Sequence, residues 1–408
     1  MKNYVIIGGG VASVACIEGI RSLDKTGKIT LICGENRPTY CRPLISYYLQ
    51  GKTDFNKMKY RSDSFYNDNN CKLVYGNAEN IDTTTKNVKV GNVLYKYDSC
   101  CIATGSSSFI PCFQGLETVK SKYTFMTEDD ALALKQVVSP TSNVLIMGAG
   151  LIGLKCAEGL AKRAKKIIVC DLATHILSSI LDDECAAIMQ KVLEDNGIEF
   201  MLGDTAVRFD ENVAIMKSGK NVVFDVLVLA VGVRPNVSLI KNIGGKIDKG
   251  IIVDTSMRTT IPSIFAAGDC AQGYDSSIDD SRILAIWPNA YMQGYCAGVN
   301  MANGTMTFEN AIPMNSIGFF GTHAFTAGCY EGELVEEKSD KCIKRLFIHN
   351  GFCVGFILIG NVDKSGIYTN LIREKVSLEK ADLKILKKQP TLFLLGTEIR
   401  RNKLGGVV

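Results

Sequence analysis

The segment that decides the fold is Val144–Leu160, with the sequence VLIMGAGLIGLKCAEGL. A short apolar run leads into glycines at the spacing G-x-G-x-x-G, and apolar residues then recur at helical spacing. The next apolar run, KKIIVC, ends in Asp171. Such a βαβ unit binds the ADP part of a dinucleotide, because the glycines let the backbone approach the pyrophosphate at a helix N-terminus. The candidate cofactor-binding residues of this turn are Gly148, Gly150, Ile152 and Gly153.

The N-terminus repeats this design. The run YVIIG leads into three glycines, and the helical pattern VASVACIEGIRSL follows. After the next run, KITLIC, comes Glu35, which is expected to hydrogen-bond the ribose hydroxyls. Ser13 stands in place of the third glycine, where a small side chain still permits close helix–strand packing. The candidate residues of this turn are Gly8, Gly10, Ser13 and Glu35. Two such units predict two nucleotides bound side by side. The alternative is that one of the two glycine segments is only a tight strand–helix turn and binds no nucleotide.

Asp171 indicates which second nucleotide is bound. A carboxylate at this strand end hydrogen-bonds the ribose 2′- and 3′-hydroxyls and repels a 2′-phosphate. The following residues, LATHIL, include no arginine that could receive such a phosphate. The sequence therefore favours NADH over NADPH.

The composition is that of an ordinary globular protein. Of the 408 residues, 46% are hydrophobic and 22% are charged, and the formal net charge is +4. No run of Lys and Arg interleaved with aromatic residues occurs, so no nucleic-acid partner is expected. The longest apolar runs are strand-sized, so no membrane-spanning segment is expected. The chain enters a strand within its first residues, which leaves no room for a signal peptide, and we expect a cytoplasmic protein.

The 15 cysteines and 3 histidines do not indicate a metal site or a disulfide framework. No C-x-x-C spacing occurs, and His175, His323 and His349 stand far apart. Most of the cysteines lie within strand or helix patterns, where they are expected to be small buried apolar residues. We therefore predict no metal.

Three further segments follow in a recognisable order. They are SCCIATGSSS (Ser99–Ser108), DVLVLAVGVRPN (Asp225–Asn236) and TTIPSIFAAGDCA (Thr259–Ala271). Together with the two glycine turns, they resemble the motifs of the flavoproteins of the pyridine nucleotide–disulfide oxidoreductase superfamily, over residues 1 to about 310. The resemblance implies bound FAD with NADH as its substrate. It implies that Thr104 and Gly105 lie in the turn that closes the FAD domain, and that Gly232 lies in the turn that closes the NAD domain. Gly268 and Asp269 would contact the ribityl and pyrophosphate of FAD.

The resemblance also implies the fold class. We expect an α/β protein of two interleaved Rossmann-like dinucleotide-binding domains, for FAD and NAD, plus a small α+β C-terminal domain. The implied ranges are 1–111 with 240–312 for FAD, 112–239 for NAD, and 313–408 for the C-terminal domain, which is expected to shape the acceptor site or a homodimer face.

Local patterns complete the expected fold. The stretch KLVYGNAENIDTTTKNVKVGNVLYKYD predicts short antiparallel strands, and the backbone near Ala78 is expected to meet the adenine. In the tail, Asn350-Gly351 between two apolar runs predicts a β-hairpin. The stretch GIYTNLIREKVSLEKADLKIL predicts a helix followed by a second amphipathic segment.

Two stretches narrow the resemblance. YCRPLISYYLQGK (Tyr40–Lys52) and AIWPNAYMQGYCAGVNM (Ala285–Met301) resemble segments of NADH:rubredoxin reductases, ferredoxin reductases and nitrite reductase flavin domains. The resemblance implies that Arg42 contacts the FAD phosphate or ring edge and that Pro43 packs on the isoalloxazine. Trp287 and Pro288 would precede a helix whose positive end faces the flavin pyrimidine. The alternative for Trp287 is ordinary core packing.

Two residues are candidates for a distinctive catalytic role, Lys155 and Cys41. Many relatives carry Glu at the position of Lys155, paired with a Lys where this chain has Tyr47. An ammonium near flavin N5 would favour the reduced flavin and raise its potential, and the alternative is an exposed lysine on an amphipathic helix. The redox-active cysteine pair of the disulfide reductases is missing, and Cys41 is the one cysteine expected near the flavin.

The sequence therefore predicts an FAD-dependent NADH oxidoreductase that passes electrons to a separate protein acceptor, such as rubredoxin or an iron–sulfur protein. One alternative is an NADH oxidase or peroxidase, or a single-cysteine reductase of the coenzyme A disulfide type. An alternative of another class is an NADH-sensing flavoprotein that acts through partner binding.

Overall fold

The structure is a computed structural model that describes residues 1–378, 386–387 and 391. The chain divides into two compact units. The first unit comprises Met1–Leu177, Glu194–Tyr274 and Ser281–Glu309, and the second comprises Ser178–Leu193, Asp275–Asp280 and the described residues from Asn310 onward. The expected division of the nucleotide domains at residues 111–112 and 239–240 stays a prediction.

Both units contain strands and helices, and the strands from Met314 onward belong to the second unit. The strands in chain order are β1 (Asn3–Ile7), β2 (Lys28–Cys33), β3 (Cys71–Tyr75), β4 (Asn80–Asp82), β5 (Asn87–Val90), β6 (Val93–Lys96), β7 (Ser99–Ile102), β8 (Ser106–Ser108), β9 (Lys122–Tyr123), β10 (Asn143–Met147), β11 (Lys166–Asp171), β12 (Ile198–Leu202), β13 (Ala206–Asp210), β14 (Val213–Met216), β15 (Asn221–Val223), β16 (Val226–Leu229), β17 (Val233–Pro235), β18 (Ile251–Ile252), β19 (Ile264–Ala266), β20 (Ala271–Asp275), β21 (Asp280–Arg282), β22 (Met314–Phe319), β23 (Thr322–Gly328), β24 (Glu333–Ser339), β25 (Cys342–His349) and β26 (Phe352–Ile359). The helices are α1 (Val11–Leu23), α2 (Ile45–Leu49), α3 (Phe55–Met58), α4 (Phe65–Asp68), α5 (Glu128–Val137), α6 (Leu151–Leu160), α7 (Asp183–Glu194), α8 (Ser238–Asn242), α9 (Trp287–Met301) and α10 (Ser365–Arg373), with short 3₁₀ helices at Arg42–Leu44 and Leu116–Thr118.

A parallel sheet of the first unit has the order β19-β7-β1-β2-β3. All four residues of β7 are buried, as are four of the five in β1, which is typical of strands covered on both faces. The chain order reverses beside β1, because β2 lies on one side of it and β7 on the other. The carboxyl ends of the strands at such a reversal form the crevice in which α/β proteins bind ligands.

A second sheet of the same unit repeats this arrangement. Its order is β12-β11-β10-β16-β9, again with parallel neighbours, and the reversal lies beside β10. Each reversal therefore lies at the strand that leads into a glycine turn. The two sheets confirm the predicted α/β class with two Rossmann-like sheets.

The region Cys71–Lys96 differs in part from the prediction of antiparallel strands. The strand β3 pairs parallel with β2, because the chain returns through α4 to the edge of the first sheet. Only β4, β5 and β6 form an antiparallel sheet.

The second unit contains an antiparallel sheet with the order β22-β23-β26-β25-β24. The hairpin between β25 and β26 is confirmed: Asn350 and Gly351 have φ values of 49° and 77°, as the predicted tight turn requires. The predicted helix is α10, whose Tyr368 and Leu371 pack with Phe356 of the sheet in one core. The predicted second amphipathic segment lies outside the described residues. No helix in the described part of the chain is both long and apolar enough to cross a membrane.

Helices α1 and α9 of the first unit approach so closely that glycine is required between them. A Cβ atom on Gly294 would lie 2.0 Å from the carbonyl oxygen of Ala12, and one on Gly298 would lie 2.1 Å from that of Cys16. These distances are far below van der Waals contact. The two glycines therefore fix how the start of α9 lies beside the first glycine turn.

We expect Gly298→Ala to lower the free energy of unfolding by about 1–3 kcal/mol, because the added methyl group overlaps backbone. Alanine otherwise favours a helix over glycine by about 1 kcal/mol. The matched control is Gly366→Ala in α10, where an added Cβ atom meets no other atom within 4 Å. Urea unfolding followed by circular dichroism measures both. Equal stability of the two variants would contradict the close packing of α1 and α9.

Candidate functional site

The first glycine turn is held by backbone contacts that only glycine permits. Gly8 has φ +122°, and a Cβ atom there would lie 2.0 Å from the carbonyl oxygen of Ala103. The hydroxyl of Ser13 donates a hydrogen bond to the carbonyl of Gly8 at 2.5 Å, which explains how serine replaces the third glycine. Gly10 precedes α1, and no side chain caps this helix. The backbone N–H groups at the start of α1 are therefore available to a phosphate.

Two adjoining cavities of about 580 and 110 Å³ run along this turn. They share Tyr40, Arg42 and Thr104, so they form one elongated groove. The sequence-predicted residues that line it are Gly8, Gly10, Glu35, Arg42, Ala78, Thr104, Gly105, Gly268, Asp269 and Trp287. The structure thus brings together nearly all of the predicted FAD set. Pro43, Pro288 and Cys41 do not line these two cavities.

A polar network lies along one wall of the larger cavity. Glu35 forms an ion pair with Arg42 and accepts a hydrogen bond from the Tyr40 hydroxyl at 2.8 Å. The same hydroxyl accepts the backbone N–H of Glu128 at 2.9 Å, and Arg42 also reaches the carbonyl of Met126 at 3.3 Å. Sequence reasoning missed Tyr40, although it opens the stretch that contains Arg42. The network holds the carboxylate and the guanidinium at one wall of the groove.

The far end of the groove carries an acid and an aromatic ring. Burial raises the pKa of Asp269, and the positive charge of Arg42 opposes this shift. Trp287 is half-buried, and its ring meets that of Tyr60 edge-on at 5.0 Å. The indole therefore packs against Tyr60 and also lines the groove, and its place beside the flavin stays a prediction.

Pro43 and Pro288 are exposed and do not line the groove; they lie at the starts of the 3₁₀ helix Arg42–Leu44 and of α9. Cys41 is half-buried, and burial raises the pKa of its thiol. A raised pKa keeps the thiol protonated near neutral pH, which does not favour a reactive thiolate.

The residues present fit FAD. The groove is long, the uncapped start of α1 suits a pyrophosphate, and Glu35 is placed for ribose hydroxyls. An added Cβ atom would meet nothing within 4 Å at Gly10 or Gly105, so backbone is open to the groove at both positions. Trp287 supplies an aromatic surface at the end where a flavin ring would lie.

The second glycine turn follows the same geometry. Gly148 has φ +113°, and a Cβ atom there would lie 2.2 Å from the carbonyl oxygen of Ala230. A Cβ atom on Gly153 would lie 1.9 Å from the carbonyl oxygen of Gly148, whereas Gly150 faces open space. Ile152 is half-buried in the first turn of α6, which no side chain caps. This turn can therefore hold a second pyrophosphate in the same way.

Asp171 ends β11 beside this turn, as predicted. Its carboxylate accepts the backbone N–H of Ala149 at 2.6 Å and that of Ala173 at 2.9 Å. These two donors fix the carboxylate at the edge of the turn. Gly232 ends the neighbouring strand region with φ +119° and open space at its Cβ position.

Within the first unit, a β-ribbon connects the strand ends that lie beside the two nucleotide turns. Strand β8 pairs antiparallel with β17. The Thr104 hydroxyl donates to the carbonyl of Asn236 at 2.8 Å, and the Asn236 side chain donates to the carbonyl of Thr104 at 2.9 Å. Asn236 was not predicted, and its only signal was its place after the apolar run Asp225–Leu229. This ribbon links the strand ends that follow β7 and β16.

Lys155 lies in a paired environment. Its ammonium contacts the carboxylate of Glu158 and lies 5.2 Å from the ring centroid of Tyr47. The side chains of Lys155 and Glu158 are 21% and 7% exposed. The structure therefore brings positions 47 and 155 together, and Lys155 is not a fully solvated surface lysine.

The fold and the two turns define a two-nucleotide α/β oxidoreductase. Residues 2–294 match the model of the pyridine nucleotide-disulphide oxidoreductase family, and the chain belongs to this family. It is therefore an oxidoreductase that uses FAD and NAD(H).

Individual relatives agree with this assignment. The chain is 29% identical to the NADH-dependent phenylglyoxylate dehydrogenase subunit epsilon of Aromatoleum evansii, over 92% of each chain. It is 29% identical to a nitrite reductase (NAD(P)H) of Bacillus subtilis, over 98% of this chain but only 50% of the relative, so it spans about half of that protein. The reductase of a covalent putidaredoxin reductase–putidaredoxin complex shares the fold, with a TM-score of 0.87, 19% identity and coverage of 95% and 96% of the two chains.

We expect Asp171→Ala to weaken NADH binding roughly tenfold, because the variant loses charged hydrogen bonds to the ribose. The preference for NADH over NADPH should therefore become smaller. Titration of both nucleotides measures the ratio of their dissociation constants. Glu199→Gln is the control, because this exposed carboxylate lies on the neighbouring strand β12 and pairs with Lys166. Equal use of NADPH and NADH by the unmodified protein would refute the role of Asp171.

Proposed function

We propose that this protein takes hydride from NADH and passes the electrons, through bound FAD, to a separate protein acceptor such as rubredoxin or an iron–sulfur protein. The observation that carries the proposal is the pair of glycine turns, together with the β8–β17 ribbon that links the strand ends against which these turns pack. This link between the two strand ends supports direct contact of the two ligands. The similarity to a subunit of an NADH-dependent dehydrogenase supports an acceptor on another chain.

The residues of this chain act by binding and orientation. FAD, when bound, supplies the hydride acceptor and stores two electrons. The start of α1 and Arg42 neutralise its pyrophosphate, and Glu35 orients its ribose. The start of α6 binds the NADH pyrophosphate, and Asp171 orients the NADH ribose. The uncapped first turn of α9 directs partial positive charge towards the end of the groove at Trp287.

The cysteines support electron transfer that does not pass through sulfur. All 15 are free thiols, and Cys41, the candidate near the groove, has a raised pKa because it is partly buried. So many free thiols also support our proposal of a cytoplasmic location, since reducing compartments keep thiols unpaired.

We expect the purified protein to bind FAD. When it is mixed with NADH in a stopped-flow instrument, the bound flavin should be reduced within the time of one catalytic turnover. Under air, NADH consumption without an added carrier should be slow, and it should rise when a rubredoxin or ferredoxin is added. Rapid oxygen-dependent turnover without a carrier would instead identify an oxidase. Slow reduction with a long-lived charge-transfer band would favour the sensor, and a protein that does not bind FAD would refute the proposal.

We expect Lys155→Glu to lower the potential of the bound flavin by tens of millivolts, because a carboxylate disfavours added negative charge. One pKa unit of interaction is about 1.4 kcal/mol, and about 30 mV in a two-electron couple carries the same energy. Spectroelectrochemical titration measures the potential. The control is Lys162→Glu, which makes the same charge change at an exposed position just after α6.

We expect Cys41→Ser to leave NADH-to-dye electron transfer nearly intact, because a protonated, half-buried thiol contributes packing only. Steady-state dye reduction measures this. If Cys41→Ser abolishes turnover with peroxide or a disulfide while Lys155→Glu leaves the flavin potential unchanged, the electrons leave through sulfur and Cys41 is the distinctive catalytic residue.

A further inference from the structure

A buried glutamine on α9 reaches the turn that carries Asp269. Gln293 is only 3% exposed, and its side-chain oxygen accepts a hydrogen bond from the backbone N–H of Gly268 at 2.8 Å. Both partners of this hydrogen bond are buried. No sequence pattern selects this residue, because a glutamine in a helix has no characteristic spacing to a turn 25 residues away.

The turn at Gly268 is conformationally demanding. Its φ of +80° lies in the left-handed region, and a Cβ atom there would lie 3.2 Å from that of Ala12 and 3.7 Å from that of Ala290. The turn therefore packs closely between the starts of α1 and α9. A buried N–H without an acceptor costs free energy, so loss of the glutamine oxygen would favour a different backbone conformation at this point.

The same helix also carries groove residues at its start. Trp287 and Ala290 line the smaller cavity together with Gly268 and Asp269. Gln293 lies about one turn beyond Ala290 on α9. Its hydrogen bond therefore connects two walls of the groove end, the first turns of α9 and the Gly268-Asp269 turn.

We propose that Gln293 is a positioning residue for FAD, which holds the Asp269 carboxylate in place through the backbone of Gly268. The inference rests on the proposed occupation of the groove by FAD. Gln293 does not line either cavity, so it acts through the turn and not by contact with the cofactor.

The test uses Gln293→Met, which keeps the length of the side chain but cannot accept the N–H. FAD is removed from the full-length protein, and the apoprotein is titrated with FAD while flavin fluorescence is followed. We expect the dissociation constant to rise roughly tenfold, the effect of one lost buried hydrogen bond. We also expect a shifted visible spectrum of the bound flavin, because the groove end is rearranged.

The matched control is Asn300→Leu on the same helix. Asn300 is 4% exposed and its amide bonds Ser256 and Met306, away from the groove. This variant loses buried hydrogen bonds as well, so it should lose comparable thermal stability yet bind FAD like the unmodified protein. If Asn300→Leu weakens FAD binding as much as Gln293→Met does, the effect is general destabilisation and the inference is overturned.

Two further variants test the route of the effect. Gln293→Glu retains an acceptor oxygen and should bind FAD more tightly than Gln293→Met. In an Asp269→Ala background, Gln293→Met should cause little further loss, because both changes act on one turn. Fully additive losses, or unchanged FAD binding in Gln293→Met, would overturn the inference. An unmodified protein that does not bind FAD would instead refute the proposed function.

Discussion

The close approach of two glycines to two strand ends is the constraint on which the site depends. Gly8 faces the carbonyl of Ala103 and Gly148 faces that of Ala230, with room for no side chain in either case. Both glycines also need a φ that other residues rarely adopt. Because each turn is pressed against the end of a neighbouring strand, the start of the following helix is directed at the crevice where the sheet order reverses.

The two constraints are coupled through the residues that follow. Ala103 leads into Thr104, Ala230 leads towards Asn236, and these two side chains exchange hydrogen bonds with each other's backbone. Hydride transfer requires two nucleotides within contact distance, and a short, doubly hydrogen-bonded link is a direct way to fix their separation.

Charges at the site are compensated in pairs. Glu35 lies with Arg42 at the FAD groove, and Lys155 lies with Glu158 beside the second turn. Partly buried charges without such partners would shift their pKa values towards the neutral forms. The side chain of Lys155 is 21% exposed, so its charge is only partly solvated.

The sequence by itself determined the two βαβ units, the fold class, the hairpin at Asn350-Gly351 and ten of the residues that line the groove. These features follow from glycine conformation, strand hydrophobicity and turn chemistry, which act over a few residues. It did not determine that β3 joins the parallel sheet, that Tyr40 bonds Glu35 in the groove, or that Asn236 bonds Thr104. Thr104 and Asn236 are 132 residues apart, and Gln293 and Gly268 are 25 apart. Such contacts are decided only by the tertiary structure, because they depend on where separate segments of the chain return to the same crevice.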